Sequence, residues 1–116
     1  MARKALLFLL FSVVCAFPGQ AHAVLMSSTP LAKQVVAGPE VAVELRFNSR
    51  IDARRSRLVL VAPDGSEMRL AIAGQPSPER LKTRTKAFQS GGYILRWQVL
   101  ASDGHITRGE IPFTVQ

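Results

Sequence analysis

The feature that most constrains this chain is a repeated alternation of apolar and polar residues, which is the period of a half-buried β-strand. In VAVELRFN, Val41, Val43, Leu45 and Phe47 share one face. The same period recurs in VLMSS, RLVLVA, EMRLAI, LKTRT, YILRWQVL and GEIPFTVQ. With no convincing helical segment among them, these one-sided strands predict an all-β fold, a seven-stranded antiparallel Greek-key β-sandwich of the immunoglobulin/cupredoxin-like kind.

Turn residues and side-chain patterns predict which strands pair and which strand lies at a sheet edge. Pro63-Asp64-Gly65-Ser66 separates RLVLVA from EMRLAI, so these two strands should form a hairpin. The polar LKTRT segment at 81–85 is typical of an edge strand, and the proline-rich segment at 74–79 should cross between sheets. Alternation predicts Trp97 in the core, and it gives Met68 a core-facing position.

The first 21 residues have the order of a secretory signal. Arg3 and Lys4 precede an apolar run, Ala5 to Phe17, that is too short to span a bilayer, and Pro18-Gly19 follows. We therefore expect a signal peptide at 1–21 and one exported domain at 22–116. Cleavage after Ala23 fits the small-residue rule equally well, and it would remove His22.

Charge and cysteine content exclude several classes of function. Without Arg3 and Lys4 the mature chain keeps 13 basic and 8 acidic residues, a net charge of +5. Arginines cluster between 46 and 57, but charge alone specifies no partner, and few aromatic residues are available to stack on bases, so we expect no nucleic acid partner. Cys15 is the only cysteine and lies within the signal, which excludes a disulfide or a thiolate site in the mature domain.

The SDGH segment at 102–105 has two interpretations. Asp103-Gly104 alone indicates a tight hairpin turn. In extended chain, however, residues two apart point to the same side, so Asp103 and His105 could bind one metal ion. His22, as the first mature residue, would add its α-amine and imidazole. Three nitrogens and one carboxylate oxygen suit Cu(II), with zinc as the competitor.

Longer stretches carry a resemblance to a known family. HAVLMSSTPLAKQVVAGP, VELRFNSRID, VLVAPDGS and GGYILRWQVLASDGHITRGEIPFTV together resemble the CopC copper-resistance family over the 95 residues that follow Ala21. The resemblance implies a periplasmic Cu(II)-binding protein whose ligands are His22, Asp103 and His105. It favours cleavage after Ala21 and a non-enzymatic role in copper homeostasis, as a buffer or as a donor to a CopD-like inner-membrane transporter.

Two departures from the family pattern affect the expected copper chemistry. Asn48 and Ser49 follow Phe47, where some relatives carry a glutamate near the copper. Only Met26 and Met68 remain in the mature chain, so we expect no dedicated Cu(I) site, with Met26 as the one residual thioether.

Two other functions compete with copper buffering. The first is a copper histidine-brace oxidase resembling lytic polysaccharide monooxygenases, which the lack of an aromatic platform disfavours. The second is a metal-free β-sandwich interaction module in which SDGH is only a turn. The polar edge strand favours a monomer over an edge-to-edge assembly.

Overall fold

The computed structural model describes residues 23–116, and the predicted signal peptide and His22 lie outside that range. The described residues form eight strands and one short 3₁₀ helix, Ala53–Arg55. The strands are β1 Leu25–Thr29, β2 Val35–Val36, β3 Glu40–Phe47, β4 Arg57–Val61, β5 Glu67–Leu70, β6 Arg80–Lys86, β7 Gly91–Leu100 and β8 Ile106–Val115. In this part of the chain no helix is long and apolar enough to cross a membrane.

The strands form two sheets that pack as a sandwich. One sheet has the order β1-β3-β6, and the other has the order β2-β8-β7-β4-β5. Five connections of the described chain pass from one sheet to the other, as in Greek-key sandwiches: β1–β2, β2–β3, β3–β4, β5–β6 and β6–β7. The all-β sandwich, the β4–β5 hairpin and the edge position of β6 are confirmed.

The predicted count of seven antiparallel strands is wrong by one strand. Strand β2 has only two residues and pairs in parallel with β8, Val35 beside Thr114 and Val36 beside Val115. Backbone hydrogen bonds hold it, from the Thr114 N–H to the Gln34 C=O at 2.9 Å and from the Gln116 N–H to the Val36 C=O at 2.9 Å. A two-residue strand carries no alternation, and so the sequence period could not reveal it.

The core lies where the alternating faces of both sheets meet. The predicted inward residues are buried: Val41, Val43, Leu45 and Phe47 on β3, Tyr93, Leu95, Trp97 and Val99 on β7, and Ile111, Phe113 and Val115 on β8. Each large side chain of this kind contributes roughly 1.5–3 kcal/mol on burial. Phe47 and Trp97 make an edge-to-face contact, ring centroids 5.2 Å apart, that joins the two sheets.

Met68 is not a core residue, which corrects its predicted position. Its register partner Leu60 is buried, but the Met68 side chain itself is 47% exposed. The reason is the unequal width of the sheets, since five strands face three and β5 is the outer strand of the wider sheet. Met68 therefore lies on the inward face that alternation predicts, but at the margin of the sandwich, where it stays half exposed.

Candidate metal centre

The turn between β7 and β8 contains Asp103 and His105, two of the predicted ligands. The Gly104 N–H donates to the Ala101 C=O at 2.9 Å, and the Ala101 N–H donates to the His105 C=O at 2.9 Å. Gly104 has φ +92°, in the left-handed region that favours glycine. The hairpin-turn interpretation of Asp103-Gly104 is therefore correct.

The same turn brings the Asp103 and His105 side chains into contact. Asp103 Oδ1 accepts a hydrogen bond from the His105 N–H at 3.1 Å, and Asp103 Oδ2 lies 2.6 Å from His105 Nδ1. Both side chains are open to solvent, 29% exposed for Asp103 and 57% for His105. The turn and the paired side chains are thus one local structure, and the two interpretations of SDGH are compatible.

Asp103 is held in its charged form. Hydrogen bonds from the His105 backbone N–H and then from the His105 side chain hold the pKa of Asp103 below its ordinary value. A carboxylate that stays ionised at neutral pH is an anionic oxygen donor that a divalent cation does not have to deprotonate.

The 2.6 Å separation of Asp103 Oδ2 and His105 Nδ1 is that of a short hydrogen bond between an ionised carboxylate and a ring N–H. Two donors about 2.1 Å from one metal ion lie farther apart, about 3.0 Å at a right angle and about 3.4 Å at a tetrahedral angle. Binding of one ion by both side chains therefore requires metal–ligand bonds to replace this hydrogen bond. Within residues 23–116, no group of three His, Cys, Asp or Glu side chains could hold a metal ion. Asp103 and His105 therefore form half of a site.

The beginning of the described chain is hydrogen-bonded to the segment that follows β3. The Val24 N–H donates to Asn48 Oδ1 at 2.8 Å, and the Asn48 N–H donates back to the Val24 C=O at 3.0 Å. Ala23, which precedes Val24, is buried. Asn48 thus fixes the backbone two residues after His22.

The segment from Asn48 to Asp52 also binds the end of the β7–β8 hairpin. The Ser102 N–H donates to the Arg50 C=O at 3.0 Å, and Ile51 forms a β-bridge with Ala101. The Asp52 N–H donates to the Leu100 C=O at 2.9 Å. The segment 48–52 is therefore hydrogen-bonded both to Val24, near the beginning of the described chain, and to the hairpin end that carries Asp103 and His105.

Asn48 is the residue whose role the sequence did not reveal. From the sequence, its position after Phe47 indicates only that a carboxylate is absent there. The hydrogen-bonded pairing with Val24 spans 24 residues of sequence, and no local pattern indicates such a contact.

The two methionines of the described chain do not form a common site. Met26 is 53% exposed and lies on β1, one edge of the three-stranded sheet, whereas Met68 lies on β5, beside the opposite edge strand β6. A Cu(I) site that uses both thioethers is therefore not available.

Comparisons with known proteins give a consistent result. The CopC domain family matches residues 25–116, a span that begins three residues after His22. Copper resistance protein C of Pseudomonas syringae pv. tomato is 30% identical over 105 residues, which cover 84% of this chain and 82% of that protein. The chain therefore corresponds to most of this relative's length.

Two solved structures share the fold. CopC from Methylosinus trichosporium OB3b has a TM-score of 0.75 and 31% identity, over 82% of this chain and 94% of that one. PcoC from Escherichia coli, a methionine-rich copper resistance protein, has a TM-score of 0.63 and 29% identity, over 83% of this chain and 100% of that one. None of these three names denotes an enzyme. The present chain, with three methionines in all, does not share the methionine richness of PcoC.

Proposed function

The chain belongs to the CopC family of copper resistance proteins, and from that premise we propose that it binds one Cu(II) ion in the periplasm. The ligands are the α-amine and imidazole of His22, the carboxylate of Asp103 and the imidazole of His105. The domain is an exported, non-enzymatic binding protein, comprising residues 22–116 after removal of the signal peptide at 1–21.

The observation that carries the proposal is the contact between Asp103 Oδ2 and His105 Nδ1 at 2.6 Å on an exposed turn. An ionised carboxylate and an imidazole already lie side by side on this turn, so one ion can recruit both groups when it replaces the hydrogen bond between them. Within residues 23–116 no third His, Cys, Asp or Glu joins this pair in a group that could hold a metal ion, and His22 is the remaining histidine of the chain.

The hydrogen bonds that hold the backbone at Val24 support His22 as the other half of the site. Successive Cα atoms are about 3.8 Å apart, so His22 lies within two peptide units of the Val24 backbone that Asn48 fixes. The segment from Asn48 to Asp52 binds the SDGH turn as well. Burial of Ala23 favours cleavage after Ala21, because cleavage after Ala23 would remove a buried residue along with His22.

The open position of the site indicates exchange of copper with other molecules. Both described donors lie on a solvent-exposed turn, where an incoming ligand can reach the ion. We infer that the protein buffers periplasmic copper or passes it to an inner-membrane transporter of the CopD kind, and that it acts as a monomer.

Three matched variants test the ligand assignment in a Cu(II) competition titration against a chelator. His105→Ala and Asp103→Asn each remove or weaken a donor, so we expect the affinity to fall by about 100-fold or more. Asp64→Asn is the control, because Asp64 lies in a similar Asp-Gly turn, with Gly65 at φ +89°, between β4 and β5. Wild-type affinity in His105→Ala would refute the assignment.

Thermal unfolding provides a second readout of the same assignment. A ligand that binds only the folded state stabilises it by about 2.7 kcal/mol at a concentration of 100 times Kd. Wild-type protein and Asp64→Asn should therefore unfold at a higher temperature with Cu(II). His105→Ala should shift much less, because a site 100-fold weaker gains only about 0.4 kcal/mol at the same copper concentration.

A further inference from the structure

Arginine side chains are concentrated at the end of the sandwich that carries the SDGH turn. The two segments that build this end, 48–57 and 98–108, contain five arginines, no lysine and only two carboxylates, Asp52 and Asp103. We call these arginines the arginine collar; its members are Arg50, Arg54, Arg55, Arg57 and Arg108, and all five are exposed.

Backbone contacts place the collar around the base of the turn. Arg50 accepts a hydrogen bond from Ser102 through its C=O, and Arg54 and Arg55 lie in the 3₁₀ helix that packs beside β7. Arg57 and Arg108 are the register neighbours of Gln98 on its two sides. The collar therefore approaches the turn from β4, the 3₁₀ helix and β8.

Most of the collar charge is not neutralised within the described protein. Arg50, Arg54 and Arg57 make no side-chain hydrogen bond or ion pair with another residue in the range 23–116, and the Arg55–Asp52 pair is long, at 3.9 Å. On β6, by contrast, Arg84 and Lys86 both pair with Glu40. The positive potential is thus concentrated at the SDGH end.

This charge pattern is unfavourable for capture of bare Cu²⁺ from solution, because like charges repel the approaching ion. It is favourable for an anionic molecule that carries the ion or receives it. Ile106, adjacent to His105, is 50% exposed and adds an apolar contact next to the ligand pair. Exposed arginines together with an exposed apolar residue are typical of protein–protein interfaces, where arginine is enriched and lysine is depleted.

We propose that the arginine collar docks the acidic surface of a protein that exchanges copper with the SDGH end of this domain. This inference rests on the proposed copper function, and it adds the chemical character of the partner. A partner protein fits better than an anionic lipid surface, because exchange requires donor atoms that can reach the ion and Ile106 offers an exposed apolar contact beside the ligand pair.

The first experiment measures docking without copper. A fluorescein-labelled oligoglutamate peptide is titrated with wild-type protein, with the collar variant Arg50→Gln/Arg54→Gln/Arg57→Gln, and with the control variant Lys82→Gln/Arg84→Gln/Lys86→Gln, and anisotropy is recorded. Both variants lose three charges, so their net charges are equal. We expect the collar variant to bind about tenfold more weakly than the control. Equal weakening in both variants would overturn the proposal.

The second experiment measures copper transfer by stopped flow. Two carrier peptides with the same Cu(II) site differ only in an acidic or an uncharged tail. We expect the acidic carrier to transfer about tenfold faster to wild-type protein at low salt, and this advantage to disappear in the collar variant and at high salt. Equal rates for the two carriers would overturn the proposal.

Two further outcomes separate the alternatives. Collar-dependent binding to phosphatidylglycerol vesicles, without binding to the peptide, would overturn the proposal in favour of a membrane surface. Collar-dependent peptide binding by a protein that retains no Cu(II) would support the docking surface and refute the copper function.

Discussion

The Asn48 side chain holds the backbone at Val24, and this contact should contribute to copper affinity. Asn48→Ala removes the oxygen that accepts the Val24 N–H at 2.8 Å and retains the reverse bond from the Asn48 N–H to the Val24 C=O. In the variant, one hydrogen bond fewer holds Val24 in place. Cu(II) binding therefore has to order the segment that carries His22 at a higher cost in free energy.

The size of the effect follows from the lost hydrogen bond. A typical intramolecular hydrogen bond contributes about 0.5–1.5 kcal/mol net, and about 1.4 kcal/mol corresponds to a factor of ten in affinity. The Val24–Asn48 bond is exposed, which places it toward the lower end of that range. We therefore expect Asn48→Ala to weaken Cu(II) binding about threefold.

A competition titration with a chelator resolves a change of this size, and Gln34→Ala is the matched control. Gln34 Oε1 accepts the Leu31 N–H at 2.8 Å, an exposed bond of the same kind. Its loss should leave copper affinity unchanged. Wild-type affinity in Asn48→Ala would refute the coupling, and a loss as large as that of His105→Ala would make Asn48 a ligand instead of an anchor.

Two other predictions concern packing and pH. A Cβ at Gly109 would overlap the Trp97 indole, so Gly109→Ala should destabilise the domain by about 1–3 kcal/mol in urea unfolding. At Gly92 a Cβ has open space, and Gly92→Ala should not destabilise the domain. Equal stabilities of the two variants would contradict the close approach of the indole to Gly109. Copper affinity should fall by about 40-fold between pH 8 and pH 6 from protonation of the His22 α-amine alone, given its usual pKa near 7.8. Because the pKa of Asp103 is lowered, that carboxylate stays ionised between pH 8 and pH 6 and contributes nothing to the loss of affinity. A copper affinity that stays constant over this pH range would exclude the amine as a ligand.

Most of the fold follows from side-chain alternation, because burial on one face of a strand selects apolar residues at every second position. Val41 to Phe47 and Tyr93 to Val99 are the clearest examples, and their inward residues are the core of the sandwich. The same rule places Met68 on the inward face of its strand. It could not predict that Met68 is half exposed, since that depends on the widths of the two sheets.

Half of the candidate site could be predicted because it is local. Asp103 and His105 are two residues apart, and a turn with glycine between them is sufficient to bring their side chains together. The Asn48–Val24 contact and the collar are different, because sheet pairing brings distant segments to one end of the sandwich. Local sequence patterns contain no information about such pairings.

Native mass spectrometry of the protein exported by its own signal, with one equivalent of Cu(II), is the most direct test of the proposed site. If His22, Asp103 and His105 bind the ion, wild-type protein begins at His22 and retains one copper ion, and His105→Ala begins at the same residue and retains none. A chain that begins at Val24, or wild-type protein that begins at His22 and retains no copper, would contradict the proposed site.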